Sequence, residues 1–173
     1  GAIGWWRVVA RGPEGHTTQP GPSVNQALAE AVSAIYGLPQ PIRHRDRHTF
    51  ANVGILRSGE VFNHRPASGW FSLDLRSDDR EIVEAMATDV RALLDRVSTR
   101  TGIEFEMQPD FQSLGGRLPG ARDSLLTRTA QAVAHHLGRS PGLSEFACCN
   151  ARVAIADGTP AVAVQGERGG ERA

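Results

Sequence analysis

The sequence predicts an α+β fold: a β-α-β-β-α-β unit, forming a four-stranded antiparallel sheet with both helices on one face, followed by a partial α/β segment. Three observations predict it. Trp5–Arg11 and Trp70–Arg76 alternate apolar and polar residues as half-buried strands do. Two longer stretches carry apolar residues at helical spacing behind capping residues. After Pro109 the texture changes to a Gly-rich linker, further helices and one continuous apolar run.

Trp5, Arg7, Val9 and Arg11 fall on one face of the first strand and Trp6, Val8 and Ala10 on the other, until Gly12-Pro13 stops it. The loop from Gly12 to Pro22 follows. Ser23 opens a helix, with Gln26 completing a capping box and Val24, Ala27, Leu28, Ala31, Ile35 and Leu38 as its stripe. Pro39-Gln40-Pro41 ends it, and a basic loop from Arg43 to His48 comes next. Strands are predicted near Phe50–Leu56 and Trp70–Leu75. Ser77, with Asp78 and Asp79 in the first turn, is predicted to cap a second helix with the stripe Ile82, Met86, Val90, Leu93 and Val97. Gly102 ends that helix, and Ile103–Met107 alternates as a short strand.

Ser113–Gly120 reads as a linker, Asp123–Leu137 as a helix ending at Gly138, and Cys148–Ala156 as a short helix closed by Asp157-Gly158. Ala161–Val164 is apolar throughout, the pattern of a strand buried on both faces. The division expected is therefore residues 1–112 and 113–173.

With 173 residues the chain can build one ordinary domain or two small ones, and 40% hydrophobic and 22% charged residues suit a soluble globular protein. A formal net charge of +0 gives no general attraction to nucleic acid or anionic membrane. All 19 basic residues are arginine, which excludes Schiff-base and P-loop lysines. No apolar run approaches a membrane span and the N-terminus lacks a signal-peptide pattern. The neighbours Cys148 and Cys149 read as reduced thiols of a cytoplasmic protein, since adjacent cysteines strain a disulfide.

Few residues offer chemistry. His16, in Gly15-His16-Thr17-Thr18, could donate to a developing oxyanion or be a solvated loop histidine. Asn63, before Pro66, and Arg76, at a strand end on the face opposite the apolar one, could share one sheet edge and bind a substrate carboxylate. Equally, Asn63 could form an Asx turn and Arg76 an ion pair on the open face. His44 and His48 are spaced for a metal on a helix, but Arg43, Arg45 and Arg47 repel one. His135 and His136 sit on a helix, one packed at its edge and one exposed. Cys149 at a helix start could be a reactive thiolate, though a small buried thiol is the commoner role. No His, Asp and Glu cluster has metal-site spacing.

Three segments taken in order resemble the dinuclear-zinc amidohydrolases and peptidases that include aminoacylase, carboxypeptidase G, succinyl-diaminopimelate desuccinylase and the N-carbamoyl amidases. They are GWWRVVARGPEGHT (Gly4–Thr17), NVGILRSGEVFNHRPASGWFSLDLRS (Asn52–Ser77) and ACCNARVAIADGTPAVAVQGERGG near the C-terminus. The resemblance implies a ferredoxin-like lid at 1–112 that pairs with a second lid in a homodimer, and at 113–173 a piece of an α/β catalytic domain. It implies that His16 reaches the active site of the other copy and polarises the scissile carbonyl, and that Asn63 and Arg76 contact the substrate, an N-acyl or N-carbamoyl amino acid or small peptide. It also implies two zinc ions and a glutamate base, carried by a half-domain preceding the lid, with the last metal-ligating histidine following the Gly-rich loop near Ala173. Cys148, Cys149 and Asn150 stand where the family has Thr-Ser/Thr-Asp. The chain as given is therefore expected to hold no zinc, to hydrolyse nothing alone and to be part of a longer enzyme. The alternative is a free-standing interaction or small-ligand sensing domain.

Overall fold

The computed structural model describes residues 1–38, 49–77, 79–113, 115, 118–140, 142–143 and 150–164. Its contacts divide the chain into Ala2–Gln112 and a second unit of Gly1 with Ser113–Ala173.

The first unit contains β1 (Ala2–Arg11), β2 (Gly15–His16), α1 (Val24–Gly37), β3 (Phe50–Asn52), β4 (Leu56–Ser58), β5 (His64–Arg65), β6 (Ser68–Ser77), α2 (Arg80–Thr101) and most of β7 (Glu104–Ser113). The main sheet runs β3-β6-β1-β7, with β4 also on β6, while β2 and β5 form a separate ribbon. β1 and β6 pair antiparallel along their whole length, from Ala2 opposite Ser77 to Arg11 opposite Ser68.

The predicted alternation is what the sheet uses. Trp6, Val8 and Ala10 of β1 and Phe71, Leu73 and Leu75 of β6 are buried in one core with the stripes of both helices. The helices therefore cover one face of the sheet. Trp5, Arg7 and Arg11 are exposed, and Trp70, Ser72, Asp74 and Arg76 are half-buried, on the other face. The fold is α+β with an antiparallel sheet, as the patterning predicts.

Local signals also hold. Ser23 Oγ accepts from Gln26 N at the start of α1, and Gly102 ends α2 at φ 70°, a left-handed conformation that suits glycine. Arg100 near the end of α2 pairs with Glu30 of α1. Glycine matters most at Gly4, where a Cβ would stand 2.1 Å from a ring carbon of buried Trp6.

Several boundaries differ from expectation. The strand predicted over Phe50–Leu56 is split into β3 and β4. Between the pairs Asn52–Asp74 and Leu56–Phe71 this side has Val53, Gly54 and Ile55, against only Ser72 and Leu73 on β6. One extra residue is a β-bulge. Its N–H groups are satisfied by side chains: Val53 N donates to Tyr36 Oη (2.9 Å) and Ile55 N to Ser72 Oγ (2.9 Å).

The α2 cap is Asp79, whose carboxylate accepts from Glu81 N at 3.0 Å, and not Ser77. Ser77 is the fully buried last residue of β6, so the strand runs past the position read as a cap. Val83 is buried in place of the predicted Ile82, which is only partly covered. β7 runs to Ser113, well beyond Met107.

In the second unit a 3₁₀ turn occupies Ala121–Asp123 and Ser124 caps α3 (Leu125–His136), so Asp123 precedes the helix it was expected to start. The last helix is α4 (Ala151–Ala156). Ala161–Val164 forms no strand among the described residues. The basic loop with His44 and His48, the pair Cys148 and Cys149, and the Gly-rich tail from Gly166 lie outside the described residues. None of the described helices is long and apolar enough to cross a membrane.

Candidate functional site

The ribbon of β2 and β5 brings two predicted residues together. Gly15 pairs with Arg65 and His16 with His64, which folds the Gly12–Pro22 loop against the turn before Pro66. Thr17 N donates to the Asn63 carbonyl at 3.0 Å. The result is a contact of 3.3 Å between His16 Nε2 and Asn63 Nδ2, both on exposed side chains. An amide nitrogen only donates, so in this contact Nε2 accepts; with the proton on Nε2 instead, an oxygen placed beside both could accept from both.

The loop around His16 is closed by its own bonds. His16 N donates to Gln19 Oε1 (3.1 Å), and Gln19 N donates back to the His16 carbonyl (2.9 Å). His16 Nδ1 lies 2.8 Å from Thr18 Oγ1. His64, across the ribbon, stands 3.5 Å from a Glu14 carboxylate oxygen. Arg65 is half-buried, and its Nε is shielded from solvent with no hydrogen-bond partner. Its guanidinium occupies the space where Cβ atoms of Gly15 and Gly21 would be, at 2.6 and 2.7 Å.

Arg76 is elsewhere. It pairs with Ile3 and Phe50 at the far end of β6, whereas Ser68, next to the ribbon, pairs with Arg11. Eight residues of extended strand put roughly 27 Å between those ends. The expectation that Asn63 and Arg76 share one edge therefore fails, because β6 runs unbroken between them. Arg76 Nε donates to both Asp74 oxygens (2.9 and 3.0 Å) and its Nη2 to one of them (2.7 Å). Asp74 and Arg76 lie two residues apart on one strand face, so the ion-pair reading had its signal in the alternation. Thr18, Gln19 and Arg65 were missed, and only their closeness to His16 and Asn63 in sequence hinted at them.

Between the two ends, the open face of the sheet holds a shallow groove of about 360 Å³ lined by Trp5, Arg7, Asn52, Trp70, Ser72 and Asp74 among others. The Arg7 guanidinium lies 4.4 Å over the Trp70 ring, and Trp5 meets Phe111 at 5.2 Å. Glu106 on β7 holds Arg11 at 2.8 Å. Its carboxyl is held below the ordinary range, first by the hydrogen bond from Gln108 and then by that from Arg11. Among the described residues no group of three or more His, Cys, Asp or Glu could hold a metal ion. Those residues therefore do not fit the zinc ions that the resemblance implies.

No family model matches the chain. A p-aminobenzoyl-glutamate hydrolase homolog of Haemophilus influenzae is 29% identical over 82 residues, covering 47% of this chain and 19% of that protein. A hydantoinase/carbamoylase-family amidase from Burkholderia vietnamiensis superposes with a TM-score of 0.72 at 16% identity, over 89% of this chain and 37% of the amidase. A tripeptidase from Staphylococcus aureus superposes with a TM-score of 0.69 at 20% identity, over 92% of this chain and 42% of its own. The chain shares the fold of these amidohydrolases and peptidases. The resemblance read from its three motifs is borne out on that level. The chain spans about a fifth of the curated relative and about two fifths of the solved structures it matches.

Proposed function

We propose that this chain is the lid, with an adjoining piece of the catalytic domain, of an amidohydrolase that cleaves the amide of an N-acyl or N-carbamoyl amino acid or small peptide. The 3.3 Å contact of His16 with Asn63 is the observation that carries the reading. With the proton on Nε2, the two N–H groups side by side fit the carbonyl oxygen of an amide, on which negative charge grows as the carbonyl is attacked. A donor of that kind contributes about 3 kcal/mol to the transition state. The p-aminobenzoyl-glutamate of the Haemophilus relative's name is itself an N-acyl amino acid, which supports the substrate class.

Arg76 takes the substrate carboxylate in this reading, with Asp74 fixing its orientation. The two ends of β6 are too far apart for one small molecule to touch both. A homodimer resolves this, with His16 and Asn63 of one copy meeting Arg76 of the other. The strand order β3-β6-β1-β7 supports reading Ala2–Gln112 as the ferredoxin-like lid. The β3–β4 edge supports the pairing: Ile55, Leu56, Val61 and Phe62 on it or beside it are 45%, 51%, 62% and 110% exposed, and an uncovered apolar edge invites a second strand.

Sedimentation equilibrium on the 173-residue chain tests the dimer. A reversible dimer, weakened by Leu56→Glu, is expected. A strict monomer at high concentration would remove the dimer from the account.

A further inference from the structure

The ring of His16 is held on the side away from Asn63 as well. Its Nδ1 lies 2.8 Å from Thr18 Oγ1 and 3.3 Å from Thr18 N, with geometry in which that backbone N–H donates to the ring. A hydroxyl can donate or accept, but a backbone N–H only donates. Both contacts are satisfied together only if Nδ1 keeps its lone pair. In a neutral imidazole the proton then sits on Nε2.

We infer that Thr18 is a positioning residue that holds His16 in the Nε2–H tautomer, so that the ring faces Asn63 as a donor. The inference rests on the reading of His16 as an oxyanion donor, and it names what makes the ring fit for that role. In the other tautomer the Nδ1 hydrogen would face the Thr18 N–H, donor against donor, and Nε2 would offer the substrate oxygen a lone pair.

The arrangement does not depend on the ring for its own stability. The paired bonds between His16 and Gln19 close the turn through backbone and amide groups, and Thr17 N ties it to the Asn63 carbonyl. Thr18 is thus carried to Nδ1 by a loop that would keep its shape with any side chain at position 16. Asn63 Nδ2 lies 3.3 Å from Nε2, so with Nε2 protonated the Asn63 amide must turn its oxygen to the ring in the unliganded chain, and an arriving carbonyl oxygen turns it back to leave two parallel donors.

Long-range proton–nitrogen correlation spectra of the full 173-residue chain, labelled with ¹⁵N-histidine, test this at a pH where imidazole is neutral, about 8.5. The expected result is His16 in the Nε2–H form, with a smaller Nδ1–H fraction than exposed His136 shows. Loss of one hydrogen bond changes such a ratio about fivefold. Thr18→Pro, which removes the backbone N–H, should raise the Nδ1–H fraction by that factor, and Thr18→Ala, which keeps it, should not. Thr18 is exposed, so an unchanged core amide spectrum shows that the variants fold. A wild-type His16 with the tautomer ratio of His136, or a ratio unmoved by Thr18→Pro, overturns the inference.

Adding N-acetyl-L-glutamate to the same samples separates this outcome from the wider reading. A locked tautomer with no ligand response at His16 or Asn63 would sink the oxyanion role and leave the tautomer assignment standing. A ligand response without a locked tautomer would do the reverse.

Discussion

The two ends of β6 treat their polar groups in opposite ways. Beside its first residue, Asn63 Nδ2 and His16 Nε2 lie 3.3 Å apart on exposed side chains. Near its last, Arg76 is already held by both oxygens of Asp74. On the proposed function one end receives an oxygen, whereas the other holds a cation in a fixed direction. An exposed donor pair costs little to leave waiting, because water can serve it. A half-buried guanidinium needs a partner in the fold itself. On the proposed function, the difference makes these two half-sites of different chemistry, joined by a stiff strand and separated by its length.

That comparison assumes one rigid β1–β6 pair, and Gly4→Ala breaks it most severely. The added methyl meets Trp6 at 2.1 Å in a packed core. It should lower stability by about 1–3 kcal/mol, seen as a drop in the thermal midpoint, with signals from both half-sites lost together. If the His16 end kept its structure while the Arg76 end melted, the two would not share one support.

Arg76→Met comes next. It leaves Asp74, with a side chain only 24% exposed, without that partner. The cost should be about 1–2 kcal/mol by denaturant titration, with no change at His16 or Asn63 in chains diluted below dimerisation. A response at His16 would mean that the ends communicate through the strand.

The smallest effect belongs to Glu106→Gln, at the tie between β7 and Arg11. The folded carboxyl titrates below the ordinary carboxylate range, so its contribution is present above that range and is lost as pH falls through the lowered folded value. The wild type should melt slightly above the variant at neutral pH, and the gap should close in acid. A gap that widened in acid would contradict the cause assigned to the shift.

Much of this was legible in the residues. The alternation of Trp70–Arg76 gave the faces of β6, and it also put Asp74 beside Arg76. Ser23 and Gly102 gave helix ends, because their signals are local. Ser77 misled because a buried serine at a strand end and a capping serine look alike in sequence. The distance between Asn63 and Arg76 depended on how far β6 runs, which is fixed by its pairing with β1 and not by its own residues. The same holds for the bulge at Val53–Ile55, which only the register against β6 defines, and for Ala161–Val164, whose apolar run has no partner strand among the described residues.

The central claim is that the two half-sites work together across two copies. It can be tested by mixing His16→Ala chains with Arg76→Met chains and following N-acetyl-L-glutamate binding by NMR. Each variant alone should bind poorly. In the mixture, a dimer of one copy of each carries one intact pair of half-sites, so statistical exchange should restore binding to about a quarter of the wild-type capacity. A mixture that binds no better than its two components would contradict the account.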